Sequence, residues 1–281
     1  MENNTVGEWL RGAAAQIAGV SETPNLDAQL LALHVLGGTR SQLIAHPERR
    51  LTDGELAGID ELLQRLVSGA ALPYLLGEWD FYGRRFSVTP DVLIPRPETE
   101  ALVETVVEWL RRHPGCRRVA DVGAGSGCVG LSILLESPGN HLVATDISYA
   151  ALQVAKQNAK RFGLQNDVEW VLSDLLTAVC GRFDVIVANL PYIPSARLPG
   201  LEVTRREPRL ALDGGADGLR LIERLLQQSA ARLSVGGLLV LEIDDSHRSA
   251  AQLANRYLSG AVRIDNDLQG KTRMLVFERG K

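Results

Sequence analysis

Beyond residue 117 the chain alternates between two kinds of segment, and that alternation admits few folds. Short apolar runs occupy Arg118–Val122, Leu142–Thr145, Val168–Val171, Val185–Ala188, Leu238–Ile243, Ala261–Ile264 and Met274–Glu278. Stretches at roughly 127–136, 148–162, 216–233 and 247–258 carry the helical pattern between them. Strands that are apolar on both faces need helices on both sides, and a strand-helix-strand connection returns the chain parallel. The expectation is an α/β domain on a doubly wound, mostly parallel, seven-stranded sheet. Only Asp265–Lys271 separates the last two runs, too little for a helical crossover, so that pair should be antiparallel.

The first part of the chain reads as all-helical. Val6, Trp9, Leu10, Ala13 and Ile17 recur at helical spacing, and a second helix over Asn25–Leu36 should stop at Gly37-Gly38. Thr52 and Glu55 form a capping box ahead of the stripe Leu56, Ile59, Leu62, Leu63, Leu66 and Val67. Residues 1–72 are therefore expected to form a small helical bundle without a catalytic constellation. In residues 73–95, Trp79, Phe81, Tyr82, Phe86 and Val88 alternate around Gly83, the pattern of a β-hairpin linker. Pro95 and Pro97 delay the next helix to about Pro97, which suits a first helical position. Residues 96–281 then carry the α/β domain.

Composition excludes several classes of function. Hydrophobic residues make up 45% of the chain, enough for a core without a disulfide or metal staple. The three cysteines have no metal-ligand spacing and the five histidines stand singly, so no metal site is expected. A net charge of −4 argues against a phosphate backbone as main partner, although Arg205, Arg206 and Arg209 could form a local basic patch. The first twenty residues include Glu2, Glu8 and Arg11 and no leader-like apolar run, and no stretch approaches the ~18 apolar residues of a membrane span. A reduced, cytoplasmic protein without membrane or direct nucleic-acid contact is the expectation.

Asp121-Val122-Gly123-Ala124-Gly125-Ser126-Gly127 follows the first strand of the α/β part and opens a helix. Glycines let a ligand approach such a turn closely, although a tight strand-helix turn or a dinucleotide site would use them too. Asp146 ends the second strand, where a carboxylate can accept two hydrogen bonds from a ribose diol or cap the next helix. Asp174 follows the third strand and can accept from an adenine amino group or again cap. Asn189 ends the fourth. The Gly-x-Gly-x-Gly spacing, with two acidic residues behind it, resembles the Rossmann-like class I methyltransferases that use S-adenosylmethionine. That ligand has no pyrophosphate to set on the helix terminus.

The fourth strand runs into Asn189-Leu190-Pro191-Tyr192, which resembles the (Asn/Asp/Ser)-Pro-Pro-Tyr signature of methyltransferases acting on planar NH2 groups. An amide nitrogen is a poor nucleophile because its lone pair is delocalised. Two acceptors gripping its N–H groups favour the geometry and the positive charge of transfer. Asn189 Oδ1 and the carbonyl of residue 190 would be those acceptors. Tyr192 would wall the flat target, and Pro191 would restrict the loop. Leu190 departs from the usual proline but keeps the main-chain carbonyl. The four residues resemble equally those of the rRNA adenine-N6 dimethyltransferases.

Longer motifs narrow the choice. Pro73-Tyr74-Leu75-Leu76-Gly77, Phe81-Tyr82-Gly83 and Leu93-Ile94-Pro95-Arg96-Pro97-Glu98-Thr99-Glu100 look like the PrmC/HemK family. So do the run Glu207–Leu219 and the segment Asp267–Arg273. The resemblance covers the chain from about residue 70 onward, and the helical head fits it. It implies N5-methylation of the glutamine in the GGQ loop of class 1 peptide chain release factors. It also implies that Gly123–Gly127, Asp146 and Leu175 contact the cofactor, with Asn189 at its edge, and that Asn189, Leu190, Pro191 and Tyr192 hold the glutamine. The head would dock the release factor. Arg96, Glu98 and Glu207 would shape the pocket mouth, or simply pair with each other. Asp244-Asp245-Ser246-His247 departs from the Gly and Gln usual after Glu-Ile. Two other readings stay open: an adenine-N6 methyltransferase, which would flip its base and favour a basic face, and a non-catalytic binding module on the same fold.

Overall fold

The computed structural model describes residues 5–247, 249–266 and 270–280. The chain divides into two compact units, Met1–Gly77 and Glu78–Lys281. Among the described residues, no helix is long and apolar enough to cross a membrane.

The first unit holds helices α1 (Val6–Ile17), α2 (Pro24–Leu36), α3 (Arg40–Ala45), α4 (Asp53–Val67) and α5 (Leu72–Leu76). The Thr52–Glu55 capping box forms as the sequence implies, and Thr5–Glu8 and Thr39–Gln42 repeat it. Val6, Trp9, Ile17, Leu31, Ile59 and Leu63 fill one core. The Trp9 indole N–H donates to Asp60 at 2.7 Å, so the large ring is buried without an orphan donor. Residues 73–76 are helical rather than part of a linker. Pro73 sits in the first turn of α5, Leu72 and Leu75 join the helical core, and Gly77 ends the helix with left-handed backbone.

In the second unit the expected hairpin is β1 (Glu78–Phe81) and β2 (Arg84–Ser87), joined by Tyr82-Gly83. Both turn residues have positive φ, 50° and 69°, as a type I′ turn requires. Phe81 and Phe86 are buried in the core of this unit, with Phe86 edge-on to Phe162. The hairpin is thus part of the α/β unit and not a free-standing connector. A 3-10 turn at Pro97–Thr99 leads into α6 (Glu100–Arg112).

The remaining elements follow as β3 (Arg118–Val122), α7 (Cys128–Glu136), β4 (His141–Asp146), α8 (Tyr149–Arg161), β5 (Val168–Leu172), β6 (Phe183–Ala188) and β7 (Ile193–Pro194). Then come α9 (Val203–Arg206), β8 (Asp213–Gly215), α10 (Arg220–Arg232), β9 (Leu233–Glu242), α11 (Ala250–Tyr257), β10 (Gly260–Asn266) and β11 (Thr272–Arg279). The main sheet has the order β10-β11-β9-β6-β3-β4-β5, and β11 is antiparallel to both neighbours. The expected helix at 216–233 is shorter because Gly218 has φ +82°. Asp267–Gln269 of the last family-like segment, and Arg248, lie outside the described residues.

Residue alternation shows why both faces are covered. Val119, Val185, Val187, Leu238 and Val240 pack with α6 and α7. Ala120, Ile186, Ala188, Leu239 and Leu241 pack with α10 and α11. Strand order reverses between β3 and β6, which is where open α/β sheets bind ligands. The parallel register pairs Val122 with Thr145 and Ala188, and Ala188 with Leu241. Gly123, Asp146, Asn189 and Glu242 therefore leave the sheet on one line.

Candidate active site

A cavity of about 640 Å³ opens at that line of strand ends, within the range of small-molecule sites. Gly125, Asp146, Asp174, Leu175, Asn189 and Leu190 are among its lining residues.

The glycine loop is tied to β4. The Gly123 and Ala124 N–H groups both donate to the Thr145 carbonyl, at 2.8 and 2.9 Å. Gly123, Gly125 and Gly127 all have positive φ. A side chain at Gly125 would meet no atom within 4 Å, so the loop is open there. One at Gly127 would meet Ala155 and Leu131 at 3.1 Å, and Gly127 does not line the cavity. Its smallness serves packing of the loop against the helices. Ser126 lines the cavity, and its hydroxyl is buried beside the Cys128 thiol.

Asp146 is half-buried and accepts from the Gly125 N–H at 2.9 Å and the Ser148 N–H at 2.8 Å, one bond per oxygen. It is not the helix cap. Ser148 takes that role, accepting from the Ala151 N–H at 3.2 Å. A carboxylate has about four acceptor positions, so both oxygens keep capacity for a ligand. Burial pushes the Asp146 carboxyl upward, opposed by these N–H donors. Asp121 lies deeper, accepting from the Gly130 N–H at 2.9 Å, and burial raises its carboxyl to about 7. Burial holds Cys128, also on the lining, as a thiol with a pKa of about 12.

Asp174 caps no helix, and one of its oxygens is already engaged. Its carboxylate pairs with Arg224 at 2.7 Å, and both side chains line the cavity. Leu175 follows with φ +55°, left-handed backbone that costs a non-glycine residue about 1–3 kcal/mol. Its buried side chain anchors that turn in the core.

The reaction loop sits against the glycine loop, because a side chain at Gly123 would come within 3.1 Å of Leu190 Cδ2. Asn189 donates through Nδ2 to Thr99 Oγ1 at 3.0 Å. Its Oδ1 accepts no hydrogen bond among the described residues. Thr99 donates to Glu242 Oε2 at 2.6 Å, and the Tyr192 hydroxyl donates to Glu242 Oε1 at 3.3 Å. Burial, then the Glu242 charge, pushes the Tyr192 phenol upward, so it stays protonated. Tyr192 was expected to wall the pocket, yet it does not line the cavity. Its ring lies edge-on to His247, 6.2 Å between centroids.

The segment around β8 braces the reaction loop. β7 continues the reaction loop and pairs with β8. A side chain at Gly214 would meet Tyr192 Cα at 2.7 Å and the Pro191 carbonyl at 2.8 Å. One at Gly218 would run into the Tyr192 carbonyl oxygen. These glycines mark where one backbone buttresses another. Glu207 is buried, accepts from the Ile94 N–H at 3.0 Å and pairs with Arg96, while Glu98 pairs with Arg273 at 3.8 Å. Thr99 and Glu242 were missed as site residues. In the arginine cluster, Arg206 pairs with Glu202 and Arg209 with Asp213, which neutralises two of its three charges.

Residues 8–77 match the PrmC N-terminal domain, and residues 98–198 match the Methyltransferase small domain. The chain is 41% identical over 279 residues to the release factor glutamine methyltransferase of Moorella thermoacetica, covering 98% of this chain and 97% of that protein. It is 37% identical over 280 residues to the protein of the same name from Coxiella burnetii, covering 98% and 99%. Among solved structures, the T. thermophilus 16S rRNA N2 G1207 methyltransferase in complex with AdoMet and guanosine aligns with a TM-score of 0.54. It is 21% identical, covers 72% of this chain and 49% of that one, and shares the fold.

Proposed function

The chain belongs to the release factor glutamine methyltransferase family, and from that premise we propose that its cavity serves methyl transfer from S-adenosylmethionine to a glutamine side-chain amide. The target is the glutamine of the GGQ motif in a class 1 peptide chain release factor. The observation that carries this reading is the state of Asn189. Its amide is held at Nδ2, and its Oδ1 has no partner among the described residues at the switch point of the sheet.

The residues around the glycine loop suit the cofactor. The turn is open at Gly125, the Ser126 hydroxyl lies buried on the lining, and Asp146 retains acceptor capacity. S-adenosylmethionine supplies a methyl group on a sulfonium, an electrophile that needs no metal. Asn189 Oδ1 and the Leu190 carbonyl would grip the two amide N–H groups of the glutamine and favour the charge that develops on its nitrogen. The methylated nitrogen is a strong acid, so its proton can pass to water without a dedicated base. Asp174 is engaged with Arg224, so an adenine amino group would share that carboxylate.

Asp146→Ala should weaken cofactor binding by roughly tenfold to a hundredfold, the effect of losing a charged hydrogen-bond acceptor of about 1.5–3 kcal/mol. Calorimetric titration checks this, and an unchanged dissociation constant would reduce Asp146 to a brace for the glycine loop. We assign the first unit the docking of the release factor, since it has its own core and none of the site residues. Removal of residues 1–77 should leave the cofactor dissociation constant unchanged. It should raise KM for the intact factor about tenfold or more, equivalent to at least ~1.4 kcal/mol of lost contact. Normal KM in the truncated chain would end the docking assignment.

Incubation with methyl-labelled cofactor and either a release factor or rRNA tests the function itself. Label on the GGQ glutamine, located by mass spectrometry, is expected. Label on rRNA adenine instead would overturn the reading in favour of an N6-adenine methyltransferase.

A further inference from the structure

We infer that Thr99 and Glu242 are positioning residues that decide which end of the Asn189 amide faces the target. This deepens the proposed reaction and rests on Asn189 being one of the two acceptors.

Glu242 is the last residue of β9 and Thr99 the last of the 3-10 turn, and both are buried, at 4% and 2% exposure. Both Glu242 oxygens accept, Oε2 from the Thr99 hydroxyl and Oε1 from the Tyr192 hydroxyl, so each group bonded to this carboxyl donates. Thr99 has one hydroxyl proton, and the 2.6 Å contact commits it to Glu242 Oε2. Toward Asn189 the threonine then offers a lone pair, which only the NH2 end of the amide can satisfy. That contact is the 3.0 Å bond from Asn189 Nδ2. An amide is planar, so fixing its nitrogen on Thr99 directs Oδ1 away from Thr99. Inverting the amide would set oxygen against oxygen in a buried place, leaving a polar atom unsatisfied.

The same carboxylate also orders the loop beyond Asn189. Its second oxygen accepts from the Tyr192 hydroxyl at 3.3 Å. One buried carboxyl therefore pins both ends of the Asn189–Tyr192 segment. Burial pushes the Glu242 carboxyl upward, and the Thr99 and Tyr192 hydroxyls oppose that by favouring its ionised form. The register explains why an intermediary is needed. Ala188 and Leu241 are paired neighbours in β6 and β9, which brings Asn189 and Glu242 out side by side. Asparagine meeting glutamate directly would leave the hydroxyl of Thr99 unpaired. With Thr99 between them, the hydroxyl proton goes to Glu242 and one Asn189 N–H goes to the hydroxyl oxygen.

The test is single-turnover methylation of a release factor by the full-length chain, with cofactor affinity and melting temperature measured alongside. Thr99→Val and Glu242→Gln should each slow transfer by about a hundredfold, the effect of a misplaced reacting group, with cofactor affinity changed only a few-fold. Thr99→Ser restores the hydroxyl and should recover most of the rate. Added to Asn189→Ala, Thr99→Val should cost almost nothing more, because residues acting as a unit are not additive. Wild-type rates in Thr99→Val, a Thr99→Ser as slow as Thr99→Val, or full additivity with Asn189→Ala would each overturn the relay. Normal turnover by Asn189→Ala alone would overturn the amide grip itself and the relay with it.

Discussion

Asn189→Ala should slow single-turnover methylation of a release factor by roughly a hundredfold to a thousandfold, the range found when one preorganised electrostatic contact is removed from a reaction site. Cofactor affinity should stay within a few-fold, because the glycine loop and Asp146 are held through Thr145, Ser148 and each other rather than through Asn189. The substitution also frees the Thr99 hydroxyl of its donor, but Thr99 keeps its bond to Glu242, so the buried carboxyl keeps that partner. Leu190→Pro makes the informative contrast. The sequence alone predicts a small effect, even a slight gain of about 0.4–1 kcal/mol from stiffening, since the carbonyl survives. The structure changes that expectation. Leu190 is buried against Gly123 and in the core beneath the sheet, so losing its side chain should lower stability by about 1–3 kcal/mol. Thermal melts and transfer rates on both variants separate the cases: a rate defect for Asn189→Ala, chiefly a stability defect for Leu190→Pro. A near-normal rate in Asn189→Ala would remove the amide grip from the mechanism.

Gly218→Ala should be almost as damaging to turnover although residue 218 does not line the cavity. Gly218 has φ +82°, and a methyl there would run into the Tyr192 carbonyl and approach His247 Nε2 at 2.6 Å. The obstacle on the Tyr192 side is backbone, which cannot rotate aside as a flexible side chain does. The reaction loop must therefore shift, and displacement on the order of 1 Å is enough to cost about a hundredfold in rate. Gly236→Ala is the control. Gly236 has φ +74° but nothing within 4 Å of the added methyl, so it suffers the strain of left-handed backbone alone. Both variants should melt earlier, and only Gly218→Ala should lose turnover. Equal turnover in the two would mean that the 212–218 segment does not brace the loop.

The parts of this molecule that follow from local pattern are legible in the sequence itself. Val185–Ala188 reads as a strand buried on both faces, and Thr52 with Glu55 as the start of a helix. The five-residue α5 is not legible, because Leu72-Pro73 reads equally as the start of an extended linker. It becomes helical through burial of Leu72 and Leu75 among distant residues. Asn189 and Asp146 stand out because each ends an apolar run. Thr99 and Glu242 do not, being 143 residues apart and brought together only where the 3-10 turn at Pro97–Thr99 meets the end of β9. The pairing of Asp174 with Arg224 is hidden in the same way, since α10 brings the arginine across 50 residues. The glycines at 214 and 218 are visible as residues, but the backbone they make room for is not.

The alignment of strand ends also governs where this chain can change length. Deleting one residue inside β6 would draw Asn189 back by about 3.3 Å and turn its side chain to the other face of the sheet. Thr99 would lose its partner although neither residue had been substituted. The turns entering β4 and β5, at 137–140 and 162–167, lie at the opposite edge and carry none of the residues on that line. An insertion there lengthens a loop whose closure cost grows only logarithmically, by about 0.6 kcal/mol per doubling. Such turns are the places to splice a tag or reporter into this enzyme, whereas the interiors of β3, β4, β6 and β9 work as fixed gauges that set the four reaction-edge residues level with one another.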